Sequence, residues 1–264
     1  MNDALVETTV DVGSTPLVVL HAGVGKPLLM LHDELGFPGW MRWNDALATE
    51  REQLIPLQPG FGRSERLEWA RDYRDLAVHY ARLVRLLGTE IDVVAFSAGA
   101  YLAAEMAVID PGLFGKMVLV GPLGCRPLSG EIFDFFAVPA RTHVAVTVGN
   151  QDAPEFATIY GGEMDTEQFL LFENARAETA RLGWEPFMFD PALPELLKGV
   201  PNETLLIRGS IDEVSPQGCV EAYAAAMPHT TTVVVEGVGH RPEIEDADRF
   251  VAIVRDFLTE TEEG

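Results

Sequence analysis

One segment constrains the fold of this 264-residue chain more than any other, because a strand pattern passes directly into a helix pattern at a serine. Residues Ile91–Phe96 are mostly apolar, as expected of a strand that is covered on both faces of a sheet. The next apolar residues, Tyr101, Leu102 and Met106, recur at helical spacing. Ser97 stands at the joint, with small residues close on both sides. We therefore expect a sharp strand-to-helix turn that holds the serine hydroxyl clear of the sheet.

The residues around Ser97 indicate what such a turn is for. They read Ala95-Phe96-Ser97-Ala98-Gly99, which is close to the G-x-S-x-G pattern of a nucleophile elbow. The first N–H groups of the following helix would point at a negative charge that forms beside the serine. The alternative is an ordinary strand–loop–helix joint in which the serine has no role.

Strand and helix patterns alternate on both sides of this segment, which predicts an α/β fold. The other predicted strands are Leu5–Val12, Pro16–Ala22, Pro27–Leu31, Gln53–Leu57, Met117–Val120, Thr204–Arg208 and Thr231–Glu236. The predicted helices in these parts are Gly39–Ala48, Ala70–Leu87, Gln217–Ala226 and Asp246–Thr259. The first two strands are expected to form an antiparallel hairpin. A mostly parallel sheet with helices on both faces explains the remaining order best.

The alternation stops between residues 123 and 200, where helical patterns dominate. Thr166–Arg181 is the clearest of these helices, and Val144–Val148 is a short strand-like run without a convincing partner. We therefore predict a core formed by residues 1–122 and 201–264, with residues 123–200 inserted as a helical cap.

Two further polar residues follow predicted strands. Asp212 comes after the strand Thr204–Arg208, and His240 lies in a short glycine-containing loop after the strand Thr231–Glu236. A serine nucleophile needs a base for its hydroxyl and an acid that orients the base. Each residue alone has an ordinary alternative, since Asp212 could form a turn or cap a helix and His240 could be a surface histidine. The three types together, each after its own strand, favour a catalytic triad.

These motifs resemble the α/β-hydrolase family in its single-domain form with a helical cap. The matching segments extend from Pro27 to the C-terminus and are Leu31-His32, Pro59–Ser64, Ala95–Gly99, Gly209–Asp212 and Gly237–His240. The order serine, aspartate, histidine along the chain is also the order of that family.

The resemblance implies a role for each site residue. It assigns Ser97 as nucleophile, His240 as base and then acid, and Asp212 as the residue that orients His240. It also implies an oxyanion hole made by the backbone N–H groups of Ala98 and Glu34, with the N–H of Leu35 as the alternative to Glu34. His32, which precedes this second loop, is expected to be structural.

The second oxyanion loop departs from the family pattern. Where His-Gly-x is usual, this chain has His32-Asp33-Glu34. Two carboxylates beside a developing oxyanion oppose catalysis unless they point away or pair with a cation. We expect both to face solvent, and we consider Arg42 and Arg63 as partners if they do not. The alternative is that one of them recognises a cationic or hydroxyl-bearing substrate.

Other candidate residues carry weaker signals. Phe96, Phe136 and Trp184 are predicted to line an apolar substrate pocket, although cap aromatics can equally form the cap's own core. The histidines outside the motifs have no constellation of partners in the sequence; they are His21, His79, His143 and His229. Cys125 and Cys219 are far apart and are expected to be structural.

The bulk properties exclude several functions. A formal net charge of -22 disfavours binding to nucleic acid or to anionic membranes. No apolar run is long enough to span a membrane, and the acidic start lacks the order of a signal peptide, so we expect a cytoplasmic protein. No nucleotide, haem or metal motif is present, so no cofactor is expected. The partner is expected to be a small-molecule substrate, and homodimer formation stays open.

The resemblance leaves three functions to compare. Ser97 disfavours hydrolytic dehalogenases and epoxide hydrolases, which resemble this fold but use an aspartate at the elbow. The first expectation is a hydrolase that cleaves a carboxylic ester, or a lactone or thioester, of a small to medium, partly apolar substrate through an acyl-enzyme. The second is a C–C bond hydrolase that acts on ring-fission products. The third is a catalytically silent, ligand-binding member of the fold.

Overall fold

An eight-stranded, mostly parallel sheet forms the centre of the molecule. The computed structural model describes residues 5–13, 15–88, 91–160 and 166–259, so the first four residues of the acidic start lie outside it. The strands are β1 (Val6–Val12), β2 (Thr15–Ala22), β3 (Lys26–Leu31), β4 (Arg51–Pro56), β5 (Ile91–Phe96), β6 (Phe114–Val120), β7 (Thr204–Gly209) and β8 (Thr230–Val235). Their order is β1-β2-β4-β3-β5-β6-β7-β8. Only the pairs β1–β2 and β2–β4 are antiparallel among these strands. The predicted hairpin and parallel sheet are therefore confirmed.

Helices cover both faces of this sheet. The α-helices of the described residues are α1 (Arg42–Ala48), α2 (Tyr73–Leu87), α3 (Ala98–Ile109), α4 (Ala140–Thr147), α5 (Pro154–Tyr160), α6 (Thr166–Gly183), α7 (Leu193–Leu196), α8 (Gln217–Ala226), α9 (Pro242–Glu245) and α10 (Ala247–Thr259). Short 3-10 helices follow at Pro111–Leu113 and Leu197–Gly199. Helices α2, α3 and α8 contribute to the apolar core on one face, and α1 and α10 to the core on the other. Two buried faces explain why the central strands read as continuous apolar runs.

The parallel strands place their carboxyl ends at one edge. The loop from His32 follows β3, Ser97 follows β5, Asp212 follows β7 and His240 follows β8. Strand β5 lies between β3 and β6, so the loop after β3 and the residues after β7 and β8 approach Ser97 from opposite sides. Ligands of open α/β sheets bind at this edge.

Some predicted elements differ from the observed ones. Val144–Val148 is not a strand, because α4 begins at Ala140 after the extended Pro139 and runs to Thr147. His143, Val144 and Thr147 are buried on one side of this helix, and the β-branched residues there had suggested a strand. Helix α1 begins at Arg42 rather than at the predicted Gly39.

Between Val120 and Thr204, the described residues contain helices and a single isolated bridge, but no strand of the sheet. The assignment of residues 123–200 to a separate cap stays a prediction. Among the described residues, none of the helices combines the length and the apolar content that a membrane span requires.

Candidate active site

Ser97 lies in a strained turn between β5 and α3. Its φ of 49° and ψ of -112° are rare for a residue with a side chain, and such strain concentrates at functional sites. The N–H of Ser97 donates to the carbonyl of Val120 at 2.8 Å, which holds the turn against the neighbouring strand. A Cβ at Gly99 would lie 2.4 Å from the carbonyl oxygens of both Leu31 and His32. Glycine at position 99 therefore lets the helix pack against the end of β3.

Asp212 and His240 form a buried pair beside this turn. His240 Nδ1 lies 2.8 Å from Asp212 Oδ2, and Asp212 Oδ1 accepts the N–H groups of Val214 at 2.8 Å and Ser215 at 2.9 Å. Because the carboxylate of Asp212 is an acceptor for all three groups, we assign the ring proton of His240 to Nδ1, which donates it to Asp212. The lone pair of Nε2 is then free to accept a proton, as a general base requires.

Ser97 and His240 are both buried and lie at the same edge of the sheet, but no hydrogen bond of ordinary length joins them. Ser97 Oγ and His240 Nε2 are both inaccessible and have no hydrogen-bond partner of ordinary length among the described residues. Catalytic hydrogen bonds are often long before the substrate binds, so this geometry is compatible with a serine–histidine pair.

The charge around His240 raises its pKa. Burial alone would lower the pKa, but the charge and hydrogen bond of Asp212, and then the charge of Glu34, raise it above its ordinary value. The Arg241 guanidinium opposes this rise. His240 is therefore a stronger base than an isolated histidine.

Gly121 supports His240, and sequence reasoning did not identify this role. Its φ is +52°, and an added Cβ would lie 2.6 Å from His240 Cε1 and 2.7 Å from Nδ1. The only sequence signal was a Gly-Pro pair after a strand, which also occurs in ordinary turns.

Asp33 is buried rather than solvent-facing, which corrects the sequence expectation. One of its oxygens binds Arg241 Nη1, and the other accepts the N–H of Leu35 at 3.0 Å. Arg241 also donates to Glu243 at 2.6 Å and to the hydroxyl of Tyr160 at 2.8 Å. Because the Leu35 N–H already has an acceptor, it does not serve as the alternative oxyanion donor.

The two arginines considered as partners bind elsewhere. Arg42 pairs with Glu155 and Asp248, and Arg63 pairs with Glu7. The observed partner, Arg241, is adjacent to His240 but about 200 residues from Asp33, so nearness in the sequence could not identify it.

Glu34 is also fully buried, and its partner is His143. Glu34 Oε1 lies 2.9 Å from His143 Nε2, and both side chains are inaccessible to solvent. Burial alone would raise the pKa of Glu34, but the hydrogen bond and charge of His143, the charge of His240 and the Ser97 hydroxyl lower it below its ordinary value. Burial lowers the pKa of His143. The sequence shows no constellation around His143, and the structure supplies its partner from a loop 109 residues away.

Comparison with known proteins decides the family. The model of the alpha/beta hydrolase family matches residues 18–253, which include the turn at Ser97, Asp212 and His240. The chain belongs to the alpha/beta hydrolase family. The resemblance seen in the sequence and the predicted fold class are thereby confirmed.

Known members of this hydrolase family that resemble the chain differ in chemistry. It is 28% identical to a 2-hydroxymuconate semialdehyde hydrolase of Pseudomonas sp. (strain CF600), over 92% of this chain and 90% of that protein. It is 25% identical to a proline iminopeptidase of Heyndrickxia coagulans, over 93% and 91% of the two chains. A 2-hydroxy-6-oxo-6-phenylhexa-2,4-dienoate hydrolase from a Rhodococcus strain superimposes with a TM-score of 0.79 at 19% identity, covering 97% of this chain and 99% of that one.

His32 of this hydrolase contributes to the shape of the second loop. Its Nδ1 contacts the carbonyl of Asp33 at 2.9 Å, and its Nε2 accepts the N–H of Gln58 at 3.0 Å. Burial lowers the pKa of His32 to about 4, so it is neutral near pH 7. These contacts support the expected structural role.

The three predicted substrate-contacting aromatics lie in two clusters. Phe96 packs against Trp43 and Phe250 in the core. The ring centroids of Phe136 and Trp184 lie 5.7 Å apart, in a cluster with Phe135 and Phe187. The side chain of Trp184 is 60% exposed. Their contact with a substrate stays a prediction.

A cleft that opens to solvent adjoins the second oxyanion loop. It lies between that loop, the segment after β4 and helix α6, and it is lined by Leu35, Phe37, Pro38, Leu57, Phe61, Leu171 and Phe172, among others. The lining is mostly apolar, which suits a partly apolar acyl group. The hydroxyl of Thr179 on α6 donates to the carbonyl of Glu34 at 3.2 Å and fixes the loop beside the cleft.

Proposed function

We propose that this hydrolase cleaves carboxylic esters, or lactones or thioesters, of small to medium, partly apolar acids through an acyl-enzyme on Ser97. The observation that carries the proposal is the buried Asp212–His240 pair, whose Nε2 has no partner among the described residues, at the same edge of the sheet as the strained Ser97. Such an arrangement matches the requirements of nucleophilic acyl transfer.

In the proposed reaction, Ser97 Oγ attacks the carbonyl carbon and His240 Nε2 takes the hydroxyl proton. The carbonyl π electrons move to oxygen, and the N–H groups of Ala98 and Glu34 stabilise the resulting negative charge. When the oxyanion collapses, the bond to the leaving oxygen breaks and His240 gives its proton to that oxygen. Water then attacks the acyl-enzyme, with His240 again as base, and releases the acid and free Ser97.

C–C bond hydrolysis is the second candidate, and the names of the relatives support it. The curated relatives include hydrolases named for 2-hydroxymuconate semialdehyde and for a hexadienoic acid. An acid substrate needs a cation, and Arg241 and Arg176, two of the buried arginines, already bind carboxylates; buried Arg208 on β7 is in no ion pair among the described residues. Arg241 binds Asp33 and Glu243, and Arg176 binds Glu173. The buried charge of Glu34 further disfavours a carboxylate, so we place ester cleavage first.

Steady-state kinetics with two substrate classes test the proposal. We expect turnover of p-nitrophenyl butyrate and hexanoate, with no turnover by Ser97→Ala, and weak or no cleavage of a vinylogous diketone. A higher kcat/KM for the diketone would favour the C–C hydrolase. No turnover of either substrate would favour a catalytically silent, ligand-binding protein.

A further inference from the structure

The Glu34 carboxylate and the Ser97 hydroxyl occupy one buried space. Glu34 follows β3, the strand next to β5, and its side chain is inaccessible to solvent. The chain just before Glu34 packs against the turn at Ser97, since a Cβ at Gly99 would lie 2.4 Å from the carbonyl oxygens of Leu31 and His32. The Ser97 hydroxyl and the charge of His240 also lower the pKa of Glu34. The carboxylate therefore lies beside the proposed nucleophile, although its own backbone N–H is a proposed oxyanion donor.

The protein supplies too few hydrogen-bond donors to this space. The buried atoms there that have no hydrogen-bond partner of ordinary length among the described residues include Glu34 Oε2, Ser97 Oγ and His240 Nε2, and also Nδ1 of His143. Glu34 Oε2 is an acceptor, because Oε1 takes the bond from His143. His240 Nε2 is an acceptor as well, because Nδ1 donates to Asp212. Ser97 has one hydroxyl hydrogen for these two acceptors.

The single hydrogen creates a competition between the two acceptors. When the Ser97 hydroxyl points to His240 Nε2, the base can activate it, but Glu34 Oε2 is left as a buried anion without a donor. When it points to Glu34, His240 cannot take the proton. A buried acceptor without a partner is costly, so a second donor at Glu34 would favour the productive orientation.

We infer that Glu34 determines substrate specificity by binding a hydrogen-bond donor on the acyl group, and that the preferred donor is a protonated amine next to the scissile carbonyl. This inference deepens the proposed function and rests on it. An ammonium group both donates to Glu34 Oε2 and offsets its charge, whereas a hydroxyl only donates. His143 does not meet this need, because its hydrogen bond goes to Oε1 and leaves Oε2 without a donor among the described residues.

The sheet order places the donor on the acyl side of the substrate. His240 and Asp212 approach Ser97 from the side of β6, β7 and β8, and His240 must reach the leaving group. Glu34 approaches from the side of β3, opposite the leaving group. The substrates that fit are therefore esters of α-amino acids, with α-hydroxy esters next.

Benzyl esters of alanine, lactic acid and propanoic acid test the inference, because they differ only in the group next to the carbonyl. Each kcat/KM is divided by the hydroxide-catalysed rate of the same ester to remove intrinsic reactivity. For the wild type below the pKa of the amine, we expect alanine to exceed propanoate on the order of 10- to 100-fold, with lactate between them. As the pH rises through the pKa of the amine, the preference for alanine should fall to about that for lactate, because the neutral amine still donates a hydrogen bond but no longer offsets the charge.

A variant of Glu34 and a matched control show whether Glu34 causes the preference for alanine. In Glu34→Gln, the ratio of alanine to propanoate should fall to within about threefold of unity, because the charge is lost while the shape is kept. Glu105→Gln is the matched control, since Glu105 is equally buried and pairs with Arg74 outside the site. That variant should keep the wild-type ratio.

The outcomes separate this inference from the proposed function. Turnover of all three esters by the wild type without a preference for alanine would overturn the inference and leave the ester hydrolase in place. A preference that survives in Glu34→Gln would also overturn it. No turnover of any ester would overturn the proposed function together with the inference. If Glu34→Gln does not fold, the order of the three esters by kcat/KM in the wild type, and its pH dependence, still test the inference.

Discussion

At the scale of single residues, the site depends on groups that force or forbid particular contacts. Ser97 has a strained backbone with a positive φ. Gly99 lacks the Cβ that would clash with the carbonyls at the end of β3, and Gly121 lacks the one that would clash with the His240 ring. The sequence predicted Ser97 and the small residues around it, because the elbow is a local pattern. It did not predict Gly121, because the side chain that needs the space lies in a loop more than 100 residues later.

Gly121→Ala should reduce activity far more than stability. The added methyl group would displace the His240 ring, and a 1 Å misplacement of a catalytic group costs on the order of 100-fold in rate. We expect kcat/KM for p-nitrophenyl butyrate to fall by about that factor. Gly13→Ala is the control, because Gly13 also has a positive φ and only Arg82 lies within 4 Å of its added Cβ. Equal losses of activity in both variants would show that backbone strain, and not the His240 contact, is responsible.

The pH dependence of the reaction should report the charges that face His240. These are Asp212 and Glu34, which raise its pKa, and Arg241, which lowers it. A general base must be neutral, so activity is lost as the pH falls through this pKa, and the acidic limb of kcat/KM should lie above the ordinary histidine value of about 6.5. Glu34→Gln removes one anion and should move that limb to lower pH, whereas Glu105→Gln should not move it. An unchanged limb in Glu34→Gln would mean that its charge does not act on His240.

At the scale of elements, the second oxyanion loop is held from two sides. Arg241, which precedes α9, binds Asp33, while α4 contributes His143 and α6 contributes Thr179 to Glu34. The sequence identified this loop as unusual, since two acids replace the glycine-containing pattern. It could not identify the partners, because periodicity predicts a helix but not the loop against which its polar residues pack.

Arg241→Met should destabilise the protein strongly. Removing the guanidinium leaves Asp33 and Glu243 as buried carboxylates without their cation, and breaking such a pair costs about 3–5 kcal/mol. The free energy of unfolding by urea measures this loss. Arg71→Ala, which breaks an exposed ion pair with Asp75, should leave the unfolding midpoint unchanged. A small effect of Arg241→Met would contradict the assigned role of this cluster.

At the scale of the whole molecule, the alternation of strands and helices was sufficient to predict the sheet and the edge where the site forms. Parallel strands bring their carboxyl ends together, so Ser97, Asp212 and His240 could be placed before any contact was known. The Glu34–His143 pair could not be predicted, because the two residues are 109 positions apart and belong to a loop and to the predicted cap. Val144–Val148 resembles a strand in the sequence, although it has no convincing partner, because its valines occupy alternate positions; in the structure this run is the end of α4.

The proposed function requires Ser97 to be the nucleophile of a functioning hydrolase. Covalent labelling by a fluorophosphonate, followed by mass spectrometry of the peptides, identifies the nucleophile. We expect one phosphonyl adduct on Ser97 in the wild type, slower labelling in His240→Gln, and no adduct in Ser97→Ala. Failure of the folded wild type to label, or an adduct that persists in Ser97→Ala, would contradict it.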